Sequence, residues 1–544
     1  MKKTLKQLAI ATLISMMTIS TAMPAFADGE GDTPGVVTPA PAPTYSITLP
    51  NETGHTYEIY QIFTGDYAKD EDGKENLSNV KWGQNGTGTA GEDVDSATIE
   101  AIKGLKNSPH ATIVESIVGT YATLTNPYKS EQAAGTTVTG IPGGYYLIKD
   151  KDKSLEGKDT SATLYIIQVI GNETLEAKAD KPTFDKEVQD EVGDAEKHKV
   201  FNEDGTPKMV IDENGNSVQQ EVENADGWGE TADHEINESF RFRLTAKIPN
   251  NPDMDAYKRY NLKFTDTMSE EVTFEEIESV KAGGVDVTDY VLSTNAQKGA
   301  SGITWTLEIP NLKDTVEDIK GLEVVVVYKA HLNESAKRGN RDDNRNTGYL
   351  EYSNNPNIGG EGEKGKTPDD TVFVFTYEFD NKKTNEDRTE GLSGAEFKLL
   401  REDGTEVGLI YDSSVGGYRP VKEEETATGI TTPNGGEFKI VGVDAGTYKL
   451  QETKAPEGYN LRTTPITIVI SATHSENADG KGATTTFSHT ADDEAFTTNT
   501  IVNNKGPELP ETGGMGTTMI YSVGGLLVLG AGTVLASRKR KLLK

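Results

Sequence analysis

The sequence has no cysteine, and it has far fewer basic than acidic residues. Without cysteine the chain can form no disulfide, no thiol nucleophile and no cysteine-ligated zinc site. Its 54 lysine and arginine residues stand against 87 aspartate and glutamate residues, for a formal net charge of −33. Phosphate binding needs clustered basic side chains, so we expect no nucleic-acid partner.

Sequence motifs for metals, phosphates and hydrolysis are also missing. The seven histidines form no His-Glu-x-x-His pair, and neither a Gly-rich phosphate loop nor a Gly-x-Ser-x-Gly elbow occurs. The acidic segments 70–73 and 203–205 resemble parts of calcium loops, but they lack the glutamate at position twelve. We therefore expect no cofactor, no metal and no enzyme with catalytic turnover.

The residues that are present favour β structure. A length of 544 residues corresponds to roughly three to four domains. With 34% hydrophobic residues the chain can form packed cores, and its 56 glycines and 22 prolines are typical of loop-rich β folds.

The N-terminal segment has the pattern of a removable leader followed by a linker. Three lysines precede an apolar run over 8–19, and small residues end the segment at Ala27. This pattern predicts a secretory signal peptide over 1–27, cleaved after Ala27. The Pro-rich stretch that follows predicts an extended linker over 28–43.

The C-terminal segment contains three elements in a fixed order. An apolar stretch over 515–536 is long enough to span a bilayer, and a basic tail follows it at 538–541. Ahead of the stretch stand Leu509, Pro510, Glu511, Thr512 and Gly513. This order resembles the cell wall sorting signal of Gram-positive surface proteins, in which a sortase cleaves between threonine and glycine. The resemblance implies a sorting signal over 507–544, with a transmembrane sorting helix and Thr512 as the residue joined to an amine.

The residues between these ends predict a β-rich array. Runs with alternating apolar side chains recur along it, separated by turn signals. Two patches at helix spacing, around Ile99 and Ile113, occur in the first part. We predict an all-β chain of tandem β-sandwich domains at 44–180 (with short helical insertions), 181–368 and 369–506.

Several motifs are similar to those of the sortase-assembled major (backbone) pilins of Gram-positive bacteria. They are YQIFTGD at 60–66, GGYYLIK at 143–149, LKFTDTM at 262–268, YSNNP at 352–356, GAEF at 394–397 and ETKAPEGY at 452–459. The resemblance covers essentially the whole chain, and the last motif corresponds to the E box of that family. It implies immunoglobulin-like domains, of the collagen-adhesin A type in the middle and of the B type on either side.

The resemblance also implies a function. It describes a structural shaft subunit that is secreted and covalently anchored to the cell wall in a pilus. The expected partners are the pilus and housekeeping sortases, copies of the chain itself, accessory pilins and peptidoglycan. A monomeric wall-anchored adhesin would use the same domains and sorting signal, and it stays open as the alternative.

Such pilin domains are expected to form an amide between a lysine amine and an asparagine side chain, promoted by an acid. Burial lowers a lysine's pKa and raises a carboxyl's, which leaves the amine neutral and the acid protonated. In the third domain the resemblance implies a Lys383–Asn503 crosslink with Glu452 as the acid. Strand parity favours Lys383 over Lys382 and Asn503 over Asn504, because the favoured side chains share a face with apolar neighbours.

The middle domain has a second set of this kind. Here the resemblance implies a Lys186–Asn354 crosslink promoted by Asp266. Lys186 shares its strand parity with Phe184, and parity favours Asn354 over Asn355. The first domain shows no clear trio, and whether it is crosslinked stays open.

A separate lysine is expected to join neighbouring subunits. In this family a lysine just before the second domain attacks the acyl-sortase that carries the next subunit. The matching segment, 175–182, places Lys178 at that position. Ala177 stands where the family usually has proline, so Lys181 stays open as the alternative. A linker position suits a nucleophile that an enzyme must reach.

Overall fold

The computed structural model describes most of the chain between residues 43 and 506. The described residues are 43–69, 75–105, 108, 110–177, 180–190, 198–199, 209–211, 217–219, 221–222, 227–291, 293–356, 363–477 and 480–506. The chain divides into two compact units. The first unit comprises Met1–Thr376 and Ala472–Thr486, and the second unit comprises Tyr377–Ser471 and Phe487–Lys544.

The N-terminal part of the first unit contains two sheets and a short helical segment. Its elements are β1 (Thr44–Thr48), β2 (Thr56–Lys69), β3 (Glu75–Trp82), α1 (Ser96–Gly104), α2 (His110–Ser116), a π-helix (Ile117–Tyr121), β4 (Lys129–Ala133), β5 (Thr137–Pro142), β6 (Gly144–Asp150), β7 (Leu164–Val169) and β8 (Glu173–Thr174). Strands β5, β1 and β8 form one sheet. Strands β3, β2, β6 and β7 form the other, with β4 paired to β2.

The helical segment forms where the apolar spacing changes from two to three or four. Helix α1 begins at Asp95, whose side chain accepts a hydrogen bond from the backbone N–H of Thr98 at 2.9 Å. Such a cap satisfies a donor that the first helical turn leaves free. Ile99, Ile113 and Ile117 are buried in one core cluster with side chains of the second sheet. The predicted helical insertions are confirmed.

The rest of the first unit contains two larger sheets. Its strands are β9 (Thr183–Gln189), β10 (His198–Lys199), β11 (Met209–Ile211), β12 (Ser217–Gln219), β13 (Glu221–Val222), β14 (Trp228–Gly229), β15 (Thr231–Asp233), β16 (Phe240–Lys247), β17 (Leu262–Met268), β18 (Val272–Ala282), β19 (Val285–Asp286), β20 (Ser293–Thr294), β21 (Thr304–Ile309), β22 (Glu323–Leu332), β23 (Arg345–Ser353), β24 (Lys364–Lys366) and β25 (Asp370–Phe375). Short 3-10 helices occur at Pro252–Ala256, Thr288–Tyr290 and Leu312–Asp314.

These strands pair in two orders. One sheet runs β14-β9-β16-β22-β18-β19, and the other runs β15-β25-β23-β17-β21-β20 with β24 paired to β23. Strand β16 buries Phe240, Phe242, Leu244 and Ala246 at alternate positions, as a strand with one face on a core must. Inward side chains of both sheets form one hydrophobic core. Two smaller pairs, β10 with β13 and β11 with β12, lie outside these sheets.

The second unit contains two further sheets. Its strands are β26 (Tyr377–Thr384), β27 (Glu396–Arg401), β28 (Glu406–Val407), β29 (Leu409–Asp412), β30 (Gly417–Pro420), β31 (Ile430–Thr431), β32 (Glu437–Val443), β33 (Gly446–Lys454), β34 (Ile466–Glu476), β35 (Ala483–Ala491), β36 (Glu494–Ala495) and β37 (Thr498–Val502). One sheet runs β29-β30-β32-β26-β37. The other runs β28-β27-β33-β34-β35-β36, with β31 paired to β27. The ends of β34 and β35 that meet at their turn belong to the first unit.

The predicted all-β class is confirmed, because strands make up most of the regular structure. None of the helices within the described residues has the length and hydropathy of a membrane-spanning segment. The predicted signal peptide at 1–27 and sorting helix within 507–544 lie outside the described residues. The domain boundaries near 180 and 368 stay predictions.

Candidate functional site

The second unit buries a lysine, an asparagine and a glutamate against one another. Lys383 Nζ donates to Oδ1 of Asn503 at 2.6 Å and to the backbone carbonyl of Ile501 at 3.2 Å. Asn503 Nδ2 donates to the two carboxylate oxygens of Glu452 at 3.0 and 2.9 Å. Lys383 Nζ also lies 3.7 Å from Glu452 Oε1. The structure thus brings together all three side chains that the sequence singles out in this region.

Strand pairing explains this meeting. Lys383 lies on β26 and pairs with Ile501 of the parallel strand β37, whose chain continues to Asn503. Glu452 lies on β33 in the other sheet of the unit, where it pairs with Phe397. The side chains of Lys383 and Glu452 are fully buried. Two sheets therefore supply the reacting groups, and their shared interior excludes water from them.

Burial changes the chemistry of Lys383. Desolvation lowers the pKa of its amine to about 8, and the opposing attraction of Glu452 only partly offsets that shift. An amine with this pKa is partly neutral near neutral pH and can act as a nucleophile. The backbone N–H of Arg462 donates to Glu452 at 2.7 Å, which fixes the carboxylate beside the Asn503 amide nitrogen. The cluster therefore contains a nucleophile, an acyl group and an acid in contact.

The alternatives that parity disfavoured lie in different surroundings. Lys382 Nζ forms an ion pair with Glu437 at 2.9 Å, and both side chains are exposed. Asn504 is exposed as well. Neither residue shares the buried environment of Lys383 and Asn503.

The first unit contains a second buried lysine cluster. Lys186 Nζ contacts the carboxylate of Asp266 and donates to the hydroxyl of Tyr328 at 3.0 Å. That hydroxyl donates to Asp266 Oδ2 at 2.9 Å and accepts from Nδ2 of Asn346 at 2.5 Å. All four residues are fully buried. Tyr328 therefore links the lysine, the acid and the amide through one oxygen atom.

Electrostatics at this second cluster follow from burial. Desolvation lowers the pKa of the Lys186 amine, although Asp266 opposes the shift. Desolvation together with the Asp266 charge raises the pKa of Tyr328, so its hydroxyl stays protonated and available as a donor. The rings of Phe242 and Tyr328 lie 5.1 and 5.4 Å from Nζ. The ring faces attract the charged form of the amine, whereas burial away from water favours its neutral, nucleophilic form, and burial is the larger effect.

The structure does not bring Asn354 to Lys186, in contrast to the pairing that the resemblance implied. Asn354 follows the end of β23 and donates through Nδ2 to the carbonyl of Leu155 at 3.0 Å. Asn346 lies near the start of the same strand and on the same face, roughly 26 Å away at the usual rise per residue. Parity identified the inward face of β23, but it could not decide which end of the strand faces Asp266.

The register of the strand pairing determines which of the two asparagines lies near Asp266. In the pairing of β17 with β23, Asp266 lies opposite Gly348, and Met268 lies opposite Asn346. Gly348 also makes room for the lysine, since a Cβ atom there would lie 3.3 Å from Lys186 Cδ and 3.0 Å from Phe184 Cζ. The glycine thus lets the amine pass between the two sheets to reach its neighbours.

The residues expected to join subunits are only partly described. Lys178 and the five residues Leu509, Pro510, Glu511, Thr512 and Gly513 lie outside the described residues. Lys181, the alternative nucleophile, is described: its Nζ contacts the carboxylate of Asp159, and its side chain is exposed.

Three family models match separate parts of the chain. A Gram-positive pilin backbone subunit 2, Cna-B-like domain matches residues 236–356. A prealbumin-like fold domain matches 378–484, and an LPXTG cell wall anchor motif matches 501–541. The first of these is described as Cna-B-like, whereas the resemblance stated above implied the A type for the middle domain.

Individual relatives include streptococcal and actinomycete surface proteins. The trypsin-resistant surface T6 protein of Streptococcus pyogenes is 28% identical over 32% of this chain and 31% of the relative. The fimbrial subunit type 1 of Actinomyces viscosus is 38% identical over 18% of this chain and 16% of the relative. The matched regions therefore span less than a third of these curated relatives.

Solved structures of backbone pilins are similar over a larger share of the chain. The T6 backbone pilin of S. pyogenes covers 85% of this chain and 98% of its own at 18% identity, with a TM-score of 0.45. The major pilin SpaD of Corynebacterium diphtheriae covers 85% of this chain and 97% of its own at 16% identity, with a TM-score of 0.42.

The pilin backbone model that matches residues 236–356 describes a structural family and not an enzyme family. The anchor motif identifies a secreted protein that is held at the Gram-positive cell wall. The chain therefore contains a region that matches a Gram-positive pilin backbone domain, a region that matches a prealbumin-like fold domain and an LPXTG cell wall anchor motif.

Proposed function

We propose that this chain is the shaft subunit of a covalently polymerised surface pilus, with domains at 44–180, 181–368 and 369–506. A sortase would join its Thr512 to a lysine of the next subunit, and lysine–asparagine amides would stabilise each subunit from within. The contact of Lys383 with Asn503 and Glu452 is the main support for the proposal. The amine of Lys383 contacts the side-chain amide of Asn503, that amide contacts the carboxylate of Glu452, and all three side chains are buried.

The proposed crosslinking reaction is an amide exchange. The neutral Nζ of Lys383 attacks Cγ of Asn503, the Nζ–Cγ bond forms, and the Cγ–Nδ2 bond breaks. Glu452 contacts Nδ2 and can transfer to it the proton that Nζ loses, so the leaving group is ammonia. Holding the groups in contact replaces an encounter in solution and supplies much of the rate. Each bond forms once, so the reaction is self-modification without turnover.

For the first unit we propose the same exchange between Lys186 and Asn346. Asp266 and the Tyr328 hydroxyl lie where they can move protons between the amine and the amide. This proposal replaces Asn354 with Asn346 and keeps Lys186 and Asp266 in the roles that the resemblance implied.

Intact mass tests the crosslinks directly. A chain spanning residues 28–506 should weigh two ammonia masses less than its sequence. The variant Asn346→Ala should lose one ammonia, whereas Asn354→Ala, on the same face of the same strand, should still lose two. A mass equal to that calculated from the sequence would contradict both crosslinks. Loss of only one ammonia from Asn354→Ala would support the Lys186–Asn354 pairing instead.

Polymerisation has a separate test in cells that carry the matching sortase. The unmutated chain should form a ladder that resists SDS, and Lys178→Ala should abolish it. Lys181→Ala is the matched control, because both residues lie in the segment before β9. Loss of the ladder in Lys181→Ala alone would transfer the role to that lysine. Absence of any ladder from the unmutated chain would favour a monomeric adhesin.

A further inference from the structure

In the first unit two aspartates and a histidine lie together at a buried position, and the proposed lysine crosslinks do not involve them. Asp190 follows β9, Asp233 ends β15, and His474 lies in the part of β34 that belongs to the first unit. One ligand atom from each residue lies within 4.8 Å of the other two. Asp190 and Asp233 are only 4% and 3% exposed.

Contacts outside the cluster hold His474 and Asp190 in place. His474 Nδ1 lies 2.7 Å from the hydroxyl of Thr231, on the same face of β15 as Asp233. Asp190 is fixed through its backbone, whose N–H donates to the carbonyl of Gly227 at 2.7 Å. A hydrogen bond at one ring nitrogen is the usual way in which proteins orient a metal-binding histidine.

The remaining ring nitrogen faces a carboxylate. His474 Nε2 lies 3.3 Å from Oδ2 of Asp190. When Nδ1 donates its proton to Thr231, a neutral ring presents a lone pair at Nε2, and two electron-rich atoms then face each other. Burial makes such an arrangement costly unless a positive charge lies between them. A divalent cation bound by a neutral imidazole and two carboxylates gives a site with no net charge.

We propose that Asp190, Asp233 and His474 bind a first-row divalent cation of the zinc class. Two carboxylate oxygens and one imidazole nitrogen form a three-ligand set that suits Zn²⁺, with a water molecule as the fourth ligand. With metal–ligand bonds of about 2.0–2.2 Å, the ligand atoms of a tetrahedral site lie roughly 3.3–3.6 Å apart. The observed spacing therefore needs only small side-chain rotations to close around the ion.

Such an ion would have a structural consequence within the first unit. It would tie the segment 472–486, which arrives late in the sequence, to β9 and β15. The sequence gives no motif for this site, since its three ligands are separated by 43 and 241 residues. Only the fold brings them together.

Zn²⁺ binding by the full chain, purified without a histidine tag, tests the proposal. After treatment with EDTA and dialysis, calorimetric titration with Zn²⁺ should show one equivalent bound. His474→Gln and Asp233→Asn should each weaken binding at least tenfold, since each removes a ligand. His331→Gln is the matched control, because His331 contacts a carboxylate of Glu275 at 2.7 Å and takes no part in the cluster. It should bind Zn²⁺ as the unmutated chain does.

A second measurement separates loss of binding from loss of folding. Zn²⁺ should raise the unfolding temperature of the unmutated chain and leave that of His474→Gln unchanged. Ca²⁺ should have no such effect, because it prefers six to eight oxygen ligands. The proposal is overturned if the unmutated chain binds no Zn²⁺, or if His474→Gln binds it equally well. The first outcome would identify the cluster as a histidine–aspartate ion pair.

Discussion

Replacing Glu452 with glutamine should remove the crosslink of the second unit while keeping the shape of the side chain. Glutamine cannot deliver the proton that the leaving amide needs, so Lys383 and Asn503 would remain separate side chains. The expected variant retains one ammonia mass and unfolds at a lower temperature. Its folded geometry should be little changed, because a glutamine can still accept from the Asn503 amide.

The size of the effect follows from the loop that the bond closes. Lys383 and Asn503 are 120 residues apart in sequence. The chain-entropy relation for a crosslink gives about 5 kcal/mol for a loop of this length, because the unfolded chain loses freedom when its ends are joined. A domain of this size changes its unfolding temperature by about 3–5 °C per kcal/mol. The variant should therefore unfold roughly 15–25 °C below the unmutated chain.

Differential scanning calorimetry and intact mass, run on the same samples, provide the assay. Glu437→Gln is the matched control, since Glu437 is exposed and pairs only at the surface with Lys382. It should keep the full ammonia loss and unfold within about 2 °C of the unmutated chain, as surface ion pairs contribute little. A Glu452→Gln variant that retains the ammonia but unfolds at the original temperature would refute the entropy argument. One that loses the ammonia would refute the role of Glu452.

Three further predictions concern the two lysine clusters. With a Lys383 pKa of about 8, the neutral fraction of the amine is about half at pH 8 and roughly 1% at pH 6. Crosslinking of newly folded chain should therefore be about fifty-fold slower at pH 6, as followed by mass over time; equal rates would contradict a neutral nucleophile. Tyr328→Phe removes the hydroxyl shared by three buried groups, so it should destabilise the first unit by about 1–3 kcal/mol and retain one ammonia mass. Gly348→Ala should cost about 1–3 kcal/mol in denaturant unfolding because its methyl group would press on Lys186 and Phe184; unchanged stability would show that these side chains can move aside.

The family resemblance and strand parity together predict the residues of the second-unit cluster. Lys383 lies at an inward position of a strand with clear alternation, and Asn503 lies just beyond the buried Ile501 of the last strand. Glu452 belongs to a motif that is recognisable without the fold. Parity and motif together leave few alternatives, and the three side chains meet as expected.

In the first unit strand parity is not sufficient, because the position of the asparagine depends on how strands distant in sequence pair with each other. Asn346 and Asn354 share one face of β23, so parity treats them alike. Only the pairing of β17 with β23 determines which of them approaches Asp266. The inward position of Tyr328 could be recognised from the sequence, because it alternates with the valines of β22. A tyrosine at such a position is usually a core residue of a β-sandwich, so nothing marked it as part of the cluster.

The parallel pairing of β26 with β37 has a mechanical consequence. These are the first and last strands of the second unit, and Lys383 and Asn503 lie at adjacent ends of them. When the two termini of this unit are pulled apart, a bond between those residues would carry the force straight from one strand to the other. The 119 residues between them would bear no load and could not extend. Stretching the unit would therefore release none of the roughly 400 Å that these residues span when fully extended. Under tension this unit would then behave as an inextensible link.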